Sequence, residues 1–73
     1  MPTTEVRSDI AGKVWKIEAA VGDSLAAEDT ILVLESMKME IPVAAPVGGR
    51  LLEIQVAEDD VVGEGDVVAV LES

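Results

Sequence analysis

The feature that most constrains this chain is that its sequence is written twice. Shifted by 37 places, IAGKVWKIEAAVGDSLAAEDTILVLES (10–36) lies over VGGRLLEIQVAEDDVVGEGDVVAVLES (47–73) without a gap. Nine positions are identical: Gly12/Gly49, Ile17/Ile54, Ala20/Ala57, Asp23/Asp60, Asp29/Asp66 and the shared VLES ending, Val33–Ser36 and Val70–Ser73. A gap-free register and a common ending set this apart from the chance matches of a valine- and glutamate-rich composition. A period of this length means two similar units that bury one core between them. With 73 residues there is no room for a second domain, so 1–73 reads as one unit with halves 10–36 and 47–73.

Each half reads as short strands broken by turns. KVWKIE and RLLEIQV alternate after a glycine, as half-buried strands do. VGD, EDD, AAED and GEGD punctuate them as turns. TILVLE and VVAVLE are near-continuous apolar runs, the pattern of strands covered by a second sheet. The aliphatics are 12 Val, 5 Ile and 6 Leu, with one Trp and no Phe or Tyr. Such β-branched residues suit a pleated sheet. No apolar stripe at helical spacing lasts beyond two turns. The expected fold is all-β: a flattened barrel or sandwich of two small antiparallel sheets related by a pseudo-twofold. Trp15, on an alternating strand, is expected in the core or half-buried.

The same offset, continued backward, pairs Met1 with Lys38. A pseudo-twofold then places the chain ends at one pole and the junction of the halves, residues 36–39, at the other. That junction is a hairpin whose tip is Met37-Lys38. Two-residue hairpins favour Asn-Gly or Asp-Gly, yet no Gly, Asn, Asp or Pro occurs between Ile31 and Ile41. A turn imposed by the global fold on an unsuited local sequence is where function is expected. At such a tip Lys38 offers its amine to solvent. Met37 and Met39 add flexible apolar side chains of the kind used at recognition surfaces.

Charge and composition exclude much else. Fifteen acids against five bases give −10, which argues against nucleic-acid binding by charge neutralisation. No run is apolar and long enough to span a membrane, and MPTTEVRSD lacks the regions of a signal peptide. These features read as a soluble cytoplasmic protein. Without His or Cys there is no zinc site, no cysteine nucleophile and no histidine triad. The four serines have no recognisable base. Glu58-Asp59-Asp60 lacks the spacing of a calcium loop and reads as a solvated turn. GEGD is not followed by Lys-Ser/Thr, so it is no phosphate cradle. No catalytic residue and no metal site are expected.

ESMKME (35–40) resembles the attachment motif of biotinyl domains, the biotin carboxyl carrier type of the biotin/lipoyl family. The resemblance covers nearly the whole chain: IAGKVWKI and VGGRLLEI resemble its Gly-x-Val strand starts, VGD and GEGD its turns, and APVGG (45–49) the segment after the modified hairpin. It implies biotin in amide linkage on Lys38, with Met37 and Met39 as recognition flanks for a biotin protein ligase. It further implies a non-catalytic carrier that shuttles an activated carboxyl group between biotin carboxylase and carboxyltransferase sites. Glu28 and Asp59 stand where the family has turn glycines, which concerns turn geometry rather than attachment. The absence of an insertion implies that the protruding thumb of some members is missing. Two alternatives remain on the residues alone. A lipoyl carrier shares the fold, but its lysine usually follows Asp and precedes Ala. An unmodified structural β module fits equally well apart from the Met-Lys-Met tip.

Overall fold

The valine- and leucine-rich runs form eight strands in a computed structural model that describes residues 2–73. They are β1 (Thr3–Arg7), β2 (Gly12–Ile17), β3 (Ser24–Leu25), β4 (Thr30–Ser36), β5 (Met39–Ala44), β6 (Gly49–Ile54), β7 (Val61–Val62) and β8 (Val67–Glu72). The fold is all-β, built from two four-stranded antiparallel sheets ordered β1-β8-β6-β3 and β5-β4-β2-β7. We call them the terminal sheet and the hairpin sheet. The described residues contain no helix, and therefore none long and apolar enough to cross a membrane.

The offset of 37 reappears in three dimensions. Adding it to β2 and β3 gives the bounds of β6 and β7, and β4 maps onto β8 to within one residue. β1 maps onto β5 in the same way. The two sheets are therefore copies, yet neither sheet is one half of the sequence. Each contains two strands from either half, so the halves interlock. The registers also agree: Glu35↔Glu40 and Leu34↔Ile41 in one sheet match Glu72↔Thr3 and Leu71↔Thr4 in the other. At the chain ends the Ser73 N–H donates to the Pro2 carbonyl at 3.1 Å, the place equivalent to the Ser36↔Met39 pair. Met1, which the offset pairs with Lys38, lies outside the described residues.

The core follows the same repeat. Val14, Ile31, Leu32 and Leu34 from one half face Leu51, Val68, Ala69 and Leu71 from the other, all fully buried. Burying each of the larger side chains stabilises the fold by about 1.5–3 kcal/mol. Ile31 and Leu32 are neighbours in sequence yet both point inward, because Ile31 is the extra residue of a β-bulge between Thr30 and Leu32. Val68 and Ala69 do the same opposite Val6 and Arg7. These bulges turn an alternating strand into the near-continuous apolar run seen in the sequence. A second bulge pair leaves Trp15 and Leu52 as the extra residues. Trp15 takes the second of its two expected settings, half-buried rather than core: the bulge turns it outward and it is 48% exposed.

Four turns share one device. In each, an aspartate N–H donates to the carbonyl three residues back, and the same aspartate's Oδ2 accepts that residue's N–H at 2.8–2.9 Å. The aspartates are Asp23, Asp29, Asp60 and Asp66, all identical across the repeat. The residue before each has positive φ: Gly22 (97°), Glu28 (73°), Asp59 (76°) and Gly65 (89°). This is the requirement at the third position of a type II turn, normally met by glycine. Glu28 and Asp59 meet it without one.

Candidate modification hairpin

The β4–β5 hairpin closes on Ser36↔Met39, leaving Met37 and Lys38 as its two central residues. Both have positive φ, 51° and 65°, the signature of a type I′ turn. That turn matches the twist of the flanking strands, which is why the fold demands it. For an L-residue with a side chain the left-handed region costs about 1–2 kcal/mol. The six-pair ladder behind the tip, anchored by the buried residues of β4, holds both residues there. Its foundation is Leu34, which is fully buried and pairs with Ile41 and Val14.

At the tip, Met37 is 93% exposed and Met39 63%. Lys38 is exposed and takes part in no ion pair among the described residues. Its amine thus has no ion-pair partner to give up among the described residues. Glu35 and Glu40, one residue pair below Ser36↔Met39, lie directly opposite each other on exposed strand positions. Like charges so placed are destabilising by a fraction of a kcal/mol. Lys13 is opposite Glu35 on the next strand, but its Nζ lies 3.6 Å from Asp59 instead.

One contributor escaped the sequence reading. A Cβ on Gly12 would lie 2.9 Å from the Glu35 carbonyl oxygen and 3.5 Å from Ser36 Cβ. Gly12 therefore allows β2 to pack closely beneath the base of the hairpin. Its identity with Gly49, which lies under Glu72 in the same way, was the available signal.

Elsewhere, a cavity of about 230 Å³ lies between Arg7–Ile10 and Ile41–Ala44. It falls short of the roughly 300 Å³ at which small-molecule sites begin. Among the described residues no three His, Cys, Asp or Glu side chains gather where they would hold a metal ion. The hairpin is the feature that stands out chemically.

Residues 1–71 match the family described as biotin-requiring enzyme. The chain belongs to the biotin/lipoyl attachment family. Among its relatives is a biotinylated protein TB7.3 homologue of Mycobacterium leprae, 40% identical over 67 residues that span 92% of this chain and 94% of that protein. The urea amidolyase of Saccharomyces cerevisiae is 40% identical over 68 residues, 93% of this chain but 4% of the enzyme. The Kluyveromyces lactis urea carboxylase superposes with a TM-score of 0.94 at 36% identity, covering 99% of this chain and 6% of that one. This attachment domain thus corresponds to nearly all of one small relative and to a small part of two large ones.

Proposed function

We propose that Lys38 carries biotin in amide linkage and that the domain is a carboxyl carrier, delivering its cofactor between separate enzyme sites. One observation carries the reading: the exposed Met-Lys-Met tip, held in a left-handed turn that its own residues disfavour. Membership of the family and similarity to a protein named as biotinylated support the choice of cofactor.

The residues present suit such a group. Lys38 supplies the acylable amine: its Nζ attacks the activated carboxyl of biotin, the amide forms, and the activating group and a proton leave. Met37 and Met39 give a biotin protein ligase a flexible apolar grip on either side of that amine. Once attached, biotin supplies the ureido nitrogen that accepts and gives up a carboxyl group. The chain contributes position. Its rigid hairpin and lysine arm raise the local concentration of the cofactor at each partner site. The partners are the ligase, a biotin carboxylase and a carboxyltransferase. In this reading the domain is the carrier, and catalysis belongs to those partners.

Co-expression with a biotin protein ligase followed by intact mass measurement and peptide mapping tests the proposal. A single biotin on Lys38, absent from Lys38→Arg, is expected. Biotin on Lys13 or Lys16, or its persistence in Lys38→Arg, refutes the assignment. A lipoyl adduct on Lys38 from a host with both ligases would replace biotin as the cofactor, and no adduct would leave a structural module.

A further inference from the structure

The pseudo-twofold supplies an internal control that shows which surface features the fold does not require. On the outer face of the hairpin sheet, Glu40, Glu35, Lys13 and Val61 form one cross-strand row. Pro42, Val33 and Lys16 form the next, with bulged Trp15 beside Lys16. The equivalent rows of the terminal sheet are Thr3, Glu72, Arg50 and Ser24, then Glu5, Val70 and Glu53 with bulged Leu52. Of the eight equivalent positions six differ, three of them among polar side chains (Glu40 for Thr3, Lys13 for Arg50, Lys16 for Glu53). The other three differ in apolar character: Trp15 for Leu52, Pro42 for Glu5 and Val61 for Ser24. Each makes the hairpin face less polar or more aromatic. Charge differs as well. Two lysines balance two glutamates on the hairpin face, whereas one arginine meets three glutamates, a net −2, on the terminal face. In a chain of net charge −10 the hairpin face is the neutral one. It also exposes the sole aromatic residue, with Trp15 at 48% and Val61 at 83%. Neutral faces with an exposed indole are suited to protein partners, where tryptophan anchors binding.

We propose that this face, centred on Trp15 and Val61, is the docking surface for the biotin protein ligase. The inference rests on the modification of Lys38 proposed above. Reach selects the ligase over the later partners. An unmodified lysine extends only about 6 Å from its Cα, so the ligase must close upon the domain itself. Glu40 begins the face two residues, or about 7 Å, from Lys38. Later enzymes meet an arm lengthened by biotin and need the domain's body less. The opposed Glu35 and Glu40 set the near edge of the contact, and the indole its centre.

The test grafts the terminal face onto the hairpin face by Trp15→Leu, Pro42→Glu and Val61→Ser, residues the fold already accepts at equivalent places. Biotin transfer is followed with purified ligase at saturating ATP and biotin while the chain's concentration varies. The graft should raise KM for the chain about tenfold and leave kcat unchanged. The reverse change, Leu52→Trp with Ser24→Val, should leave both unchanged. An unaltered KM in the graft overturns the docking face while leaving Lys38 as the acceptor. No biotin on the wild-type chain overturns the functional reading instead. Should the graft fail to fold, the ¹⁵N-labelled wild-type chain decides, because it has a single indole N–H resonance. Its shift or broadening on adding unlabelled ligase, with the Leu52 amide unmoved, supports the proposal. No change refutes it, and so does the same change on concentrating the chain alone, which assigns the face to a second copy.

Discussion

Replacing Met37-Lys38 by Asn-Gly should make the domain more stable while removing the proposed acceptor. Both residues occupy the left-handed region, at φ 51° and 65°. At about 1–2 kcal/mol each, the wild-type tip stores roughly 2–4 kcal/mol of backbone strain. Glycine at 38 relieves its share and loses about 0.5–1 kcal/mol through the freedom it has when unfolded. Asparagine at 37 tolerates the conformation better than methionine does and relieves part of the rest. Neither exchange touches a packed side chain, since Met37 is 93% exposed and Lys38 has no ion-pair partner among the described residues. The net gain is about 1–2 kcal/mol, which for a domain of this size raises Tm by roughly 7–13 °C. Urea and thermal unfolding followed by circular dichroism measure it, and an unchanged m-value would show that both chains expose the same surface on unfolding. Met37→Ala with Lys38→Ala is the control, because alanine keeps the left-handed cost and should leave stability within about 0.5 kcal/mol. An Asn-Gly variant no more stable than the wild type would refute the idea that the tip is strained.

Other perturbations separate the tip from the scaffold. Leu34→Ala, at a fully buried position beneath the hairpin, should cost about 2–5 kcal/mol in denaturant unfolding, whereas Lys38→Ala should cost less than about 0.5. Gly49→Ala places a Cβ 2.6 Å from the Glu72 carbonyl oxygen and should lose about 1–3 kcal/mol, with Leu71 and its neighbours losing amide protection first. Glu28→Gly copies Gly65 from the equivalent turn and should gain about 0.5–1 kcal/mol, while Gly22→Ala, in open space, should lose a similar amount through φ alone.

Much of this architecture was legible because repetition marks the positions that geometry cannot vary. The identical glycines, Gly12 and Gly49, are the places where a Cβ would strike a carbonyl. The identical aspartates close four turns with the same pair of hydrogen bonds. Leu34 and Leu71 fill the core. What the repeat could not reveal was the exchange of strands between halves, because a twofold axis relates separate and interlocked halves equally well. β1 was also obscure. TTEVR alternates weakly, and its equivalence to β5 shows mainly in the Val6/Val43 match. The bulges of β2 and β6 have no sequence signature, so the outward turn of Trp15 followed from register rather than from pattern. The hairpin's position was readable from the offset. Its type I′ geometry was not, since Met-Lys is the reverse of what that turn favours.

The symmetry also explains why a strained sequence is tolerated at the tip. A twofold fold of this kind creates two equivalent hairpin positions, β4–β5 and β8–β1. At one of them the chain is continuous through Met37-Lys38. At the other it is broken, with Ser73 meeting Pro2. The broken copy keeps the same register through Glu72↔Thr3 without any turn to enforce it, so strand pairing and core burial, rather than turn chemistry, set the ladder. The continuous copy therefore has no folding task left for its two central residues. Their identity is free to answer to an enzyme, at a strain of a few kcal/mol that the shared core offsets. A lysine held between two exposed methionines is what that freedom permits: under the proposed function, an acceptor whose recognition can change without unfolding the domain that presents it.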